Sequence, residues 1–183
     1  MSSKKKKLGF IVEGDFDKEV IETLAVRLLG ARFHVHTVRL GGKAALPWVW
    51  STVLDLQARD YSHVIILFDA DVSSESEVER QRREVELNLQ QHGAARNTSV
   101  CLAVPTIEAW LLSNEPTRPE ARSDPKGVLE MHLGRPLQPG DGARLADDLN
   151  IEQARKNSRS FEQFFQALHA LTKRPESTSH RSL

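Results

Sequence analysis

The chain has 183 residues, room for one domain with a sizeable core, and its 25 Lys and Arg equal its 25 Asp and Glu. A neutral chain is not an electrostatic magnet for nucleic acid, so any phosphate chemistry must rest on local positive charge or on a metal. The single cysteine, Cys101, excludes intrachain disulfides and cysteine-rich zinc sites and points to a reducing cytoplasm, and no apolar stretch or signal pattern points to a membrane.

Residues 1–7 end in four consecutive lysines and read as a solvated basic arm. Leu8–Val12 reads as a short buried strand that ends in Glu13-Gly14-Asp15. Gly14 supplies a turn, and Asp15 is placed to cap a helix through Leu29, with Val20, Ile21, Leu24 and Leu28 at helical spacing and Gly30 as its stop. Arg32–Leu40 alternates as a second strand. His34 and His36 share one face of it, but no third soft ligand is near, so that face reads as solvated. Gly41-Gly42-Lys43 follows; a lysine after two glycines at a strand end either meets a phosphate or simply closes a turn. The spacing of a P-loop is absent. A helix from Pro47 to Arg59 is expected to bury Trp48 or Trp50.

Val64–Phe68 is an apolar run of the kind found in strands covered on both faces, and Asp69 and Asp71 follow it one residue apart. Strand alternation would send both carboxylates to the same side. Like charges held close need a positive partner, and a hard divalent cation is the usual one; a simple helix cap would need only one aspartate. Ser73–His92 reads as a charged helix with a thin apolar stripe, stopped by Gly93. Ser99–Val104 is a fourth strand closed by Pro105. Thr106 is placed to cap the helix that contains Glu108, a carboxylate favoured there by the helix dipole alone. Beyond Ser113 the texture is loop over 114–124, then helices over Pro125–Leu133, Gly142–Asp148, Ile151–Asn157 and Phe161–Leu171, and a polar tail over 173–183.

Four strands alternating with helices imply an α/β fold: a four-stranded parallel sheet, order 2-1-3-4, with helices on both faces over residues 8–112 and a C-terminal helical extension over 113–172. Ligands of such sheets lie beyond the carboxyl ends of the strands, where strand order reverses. Neighbouring strands are about 4.8 Å apart, so Glu13, Asp69 and Asp71 fall around one small volume. Lys43 and Glu108 flank it.

Ile11–Leu24 followed by Ile66–Asp71 resembles the TOPRIM domain, with its glutamate after the first strand and DxD after the third. The segment is similar to the TOPRIM half of overcoming-lysogenization-defect nucleases and to free-standing relatives beside ATPases in phage-defence loci. Those relatives often read EGxTE; here Phe16 and Asp17 stand at the last two of these positions. The resemblance implies Mg2+- or Mn2+-dependent cleavage of DNA or RNA. Asp69 and Asp71 would hold the metal, Glu13 would be a further ligand or the general acid/base, Glu108 would complete a second metal site, and Lys43 would bind phosphate. It also implies action either alone or with an ABC- or AAA-type ATPase subunit, and leaves self-association open. The lone Tyr61 lies at the wrong strand end for a topoisomerase nucleophile, and one cysteine cannot build a primase zinc module. Two other readings stand beside the nuclease: a catalytically silent TOPRIM-like module regulating an ATPase, and a receiver- or phosphatase-like domain. In receivers, however, the acidic pair ends strand one.

Overall fold

The computed structural model describes residues 5–114 and 118–173. The first four residues of the basic arm, residues 115–117 of the expected loop and the tail from residue 174 lie outside them. The apolar runs form β1 (Lys6–Val12), β2 (Phe33–Arg39), β3 (His63–Asp69) and β4 (Thr98–Ala103). All neighbours are parallel, in the order β2-β1-β3-β4. Register runs from Leu8 opposite His63 to Ile11 opposite Ile66, and from Val64 opposite Thr98 to Asp69 opposite Ala103. The first strand begins two residues earlier than its apolar run, because Lys6 and Lys7 pair with Phe33 and His34. The arm therefore ends inside the sheet.

Helices cover both faces, as the continuous apolar strands require. Phe10, Val12, Ile65 and Leu67 face α1 (Asp15–Leu29) and α8 (Arg159–Thr172). Ile11, Val64, Ile66 and Phe68 face α2 (Val49–Ala58) and α3 (Glu75–Gln91). The remaining helices are α4 (Ile107–Leu111), α5 (Pro125–Leu133), α6 (Asp141–Asp148) and α7 (Ile151–Asn157). The C-terminal extension is not a separate layer. Phe161, Phe164 and Leu168 of α8 belong to the same core as Phe10 of β1 and Trp110 of α4. Glu19 of α1 joins α6 as well, accepting from the backbone N–H of Gly140 at 2.8 Å and of Gly142 at 3.1 Å.

Several local expectations change. Asp15 does not cap α1: the N-cap is Gly14, Asp17 accepts from its N–H, and Asp15 instead pairs with Arg39 at 2.8 Å. The segment from Pro47 does not open an α-helix, because Lys43–Trp48 forms a 3-10 turn and α2 starts at Val49. Trp48 is 67% exposed, while Trp50 stacks on His92. His34 is exposed, but His36 packs against Tyr61. The loop over 114–124 holds a 3-10 turn at Pro119–Ala121, whose Glu120 accepts from the N–H and hydroxyl of Ser160. No helix among the described residues is long and apolar enough to cross a membrane.

Candidate functional site

Sheet geometry brings the sequence-nominated groups to the carboxyl edge. Glu13 follows the last residue of β1, and its Oε1 accepts from the backbone N–H of Asp69 at 3.0 Å. That bond ties the ends of the two central strands together. Asp69 ends β3, and its Oδ1 accepts from the N–H of Ile107 at 2.9 Å. The expected cap from Thr106 is not made: its hydroxyl is buried with no hydrogen-bond partner among the described residues, and Asp69 does the capping from a different strand.

Pairing between β1 and β2 continues past both strands, with Leu40 N–H on Val12 O at 2.8 Å and Gly41 N–H on Glu13 O at 3.0 Å. Gly41 and Gly42 then take φ of 81° and 120°, a path that side chains other than glycine resist. The turn returns Lys43 toward the acids, where its Nζ donates to Asp71 Oδ2 at 2.5 Å.

Asp69 and Asp71 do not emerge as an alternating pair. The strand ends at Asp69, Asp71 adopts a φ of 57°, and its N–H donates to Pro105 O at 2.7 Å. Strand periodicity therefore stops two residues before Asp71 and does not align the doublet. The Asp71 side chain is 62% exposed and held by Lys43.

The electrostatics divide the site in two. Burial pushes the Asp69 carboxyl up to about 9, followed by the charges of Asp17 and Glu108; the Ile107 N–H opposes the rise, and Glu13 adds to it. Asp17 is itself raised by burial and by Glu108, against the pull of its Gly14 hydrogen bond. Glu13 is raised by burial, lowered by the Asp69 N–H and by Lys43, and raised by Asp17 and Asp71. Glu13 thus belongs to both halves: the inner acids Asp17, Asp69 and Glu108, and the outer Lys43–Asp71 pair. Asp17 is the residue that the sequence left out of the site. Its signal is the spacing Glu13-x-x-x-Asp17, which carries a second acid back over the strand end on the first turn of α1.

The donor set fits a hard divalent cation: it is all carboxylate oxygen, and Asp69 is pushed up by burial first and then by the charges of Asp17 and Glu108, a cost that a cation would offset. Among the described residues, no group of three or more His, Cys, Asp or Glu side chains is gathered at ligand spacing around one point. Holding an ion here therefore requires the carboxylates to turn from their present hydrogen bonds. Comparisons with protein-family models, curated proteins and solved structures find no match to the chain.

Proposed function

We propose that this chain is a metal-dependent phosphodiesterase that hydrolyses DNA or RNA, as the effector of a bacterial anti-phage system that works with an ATPase subunit in a reducing cytoplasm. The observation that carries the reading is that Asp17, Glu108 and Glu13 stand near enough to Asp69 at the carboxyl edge for their charges to act on it, adding to the burial that pushes its carboxyl up to about 9. A structural cap needs one carboxylate, not four. The sheet order and the strand ends that bear the acids are also those the TOPRIM resemblance implies.

Glu13, Asp69, Asp71 and Glu108, with Asp17 beside them, would hold Mg2+ or Mn2+, which supplies Lewis-acid charge to the scissile phosphate. Lys43 would exchange Asp71 for a phosphate oxygen, which would leave the Asp71 carboxylate free to join the ligands of the cation. Glu13, whose carboxyl burial pushes above its ordinary range, would hold or release the proton that the attacking water or leaving oxygen exchanges. The backbone N–H of Asp69 keeps the Glu13 carboxylate oriented in the meantime.

The Lys43–Asp71 pair favours a second reading. A lysine already seated against one acid of the doublet suits a catalytically silent module that regulates an ATPase. Cleavage assays separate the two. Purified protein with Mg2+ or Mn2+, alone and with its ATPase, is expected to cut DNA or RNA, and Asp69→Asn is expected to lower the rate by at least about a hundredfold. Undiminished cutting by the variant discards this site. A wild type inert under every condition leaves the regulatory module.

A further inference from the structure

Beside the acid cluster, the Lys43–Trp48 turn and α3 enclose a groove of about 460 Å3. We propose that it is a subsite for one unpaired nucleobase, so that the substrate is single-stranded or locally unpaired nucleic acid; the proposal rests on the nuclease reading.

Leu46, Pro47, Phe68 and Val85 supply apolar walls, and the charged Arg80 and Glu84 line the groove beside the amides of Gln81 and Asn88. Apolar walls with polar groups between them suit a planar heteroaromatic ring with polar edges. The size admits a base with its sugar. Asn88 carries the polar recognition. Its Oδ1 is buried and has no hydrogen-bond partner among the described residues, so the acceptor gains by turning about a soft torsion toward an incoming N–H. Exocyclic amines and ring N–H groups of bases are such donors.

Lys43 fixes the orientation of the ligand. It lines the groove and also contacts Asp71, so one side chain bridges the groove and the carboxylate site. A nucleotide whose phosphate engages Lys43 has its base directed either into this groove or into solvent. Trp48, next to Pro47 and 67% exposed, offers a stacking face at the same turn. A base paired in a duplex cannot enter a walled groove without leaving its stack, which selects for unpaired strands.

The test uses the full chain with Asp69→Asn to prevent cutting. Binding of a fluorescein-labelled single-stranded octanucleotide is read by anisotropy, alongside the same sequence as a duplex and a version lacking one base. Single strands are expected to bind at least about tenfold tighter than duplex, and loss of the correctly placed base is expected to weaken binding about tenfold. Asn88→Trp, which fills the groove from a half-exposed helix position, should remove that base-dependent difference, and Asn88→Ala should reduce it; melting curves verify that both are folded. Equal binding of duplex and single strand, equal binding by Asn88→Trp, or no oligonucleotide binding overturns the groove. Cleavage assays of the otherwise wild-type chain keep the two ideas apart. Cutting with KM unchanged by Asn88→Trp removes the groove and leaves the nuclease. Groove-dependent binding with no cutting by the wild type removes the nuclease and leaves the groove.

Discussion

At the scale of single residues, the chemistry of the site works against folding. Asp69 has an ordinary carboxylate pKa of about 3.9 when unfolded, and the fold raises it to about 9. Between those values the native state holds a proton that the unfolded chain has released. Stability of the metal-free protein therefore declines as pH rises from about 4 toward 9. Asn in place of Asp69 keeps the acceptor for the Ile107 N–H but has no charge to confine. Asp69→Asn is expected to melt higher than the chelator-treated wild type at pH 8, by about 2–4 °C for each kcal/mol relieved, and the difference should shrink toward pH 4. Millimolar Mg2+ should raise the melting temperature of the wild type and leave that of the variant in place. Scanning calorimetry at the two pH values, with and without the metal, measures both effects. A variant less stable than the wild type at pH 8 would show that Asp69 is a structural cap and no more.

At the scale of elements, the turn after β2 decides where the lysine goes. Gly42 has a φ of 120° and a ψ of 166°, a region open essentially to glycine alone. Nothing crowds the position a Cβ would take, so the obstacle to substitution is backbone strain rather than a clash. Gly42→Ala is expected to cost about 1–3 kcal/mol in urea denaturation, or to relax the turn and carry Lys43 off Asp71. The second outcome would weaken oligonucleotide binding without a matching loss of stability, and Lys43→Ala would reproduce it. This turn also shows how far sequence reasoning reaches. Two glycines before a lysine at a strand end are visible from the chain, as are the apolar runs that become β1 and β3. The long-range hydrogen bonds are not visible. That Asp69 caps α4 in place of Thr106 depends on where β3 stops against β4. That Asp17 faces Asp69 and Glu108 depends on how α1 leaves the sheet. Alternation misplaced Asp71 because a period of two holds only while the backbone stays extended, and a φ of 57° breaks it.

At the scale of the whole molecule, the helical extension and the sheet stand or fall together. Phe164 lies 5.2 Å from the Trp110 ring and 6.4 Å from that of Phe10, so one aromatic group joins α8, α4 and β1. Trp110 is anchored in turn by its indole N–H, which donates to Ser160 Oγ at 2.8 Å, the same hydroxyl that contacts Glu120. A side chain shared this way cannot be lost by one region alone. Phe164→Ala is expected to cost about 3–5 kcal/mol, the usual range for emptying a buried aromatic site. It should lower the melting point of the chain as one cooperative transition, with near-UV signals from the Trp110 environment and far-UV helix signals disappearing together. The consequence reaches the site. Trp110 lies on the same short helix as Glu108 and Ile107, so a loosened aromatic cluster releases the N–H that Asp69 accepts from and the carboxylate that raises it. Activity in this variant should therefore decline at temperatures several degrees below its own melting point, whereas a substitution of similar cost on the opposite face, such as Leu56→Ala, should keep activity until the chain unfolds. Two separate melting transitions in Phe164→Ala would instead mean that the extension is an appendage and that α4 takes its position from β4 alone.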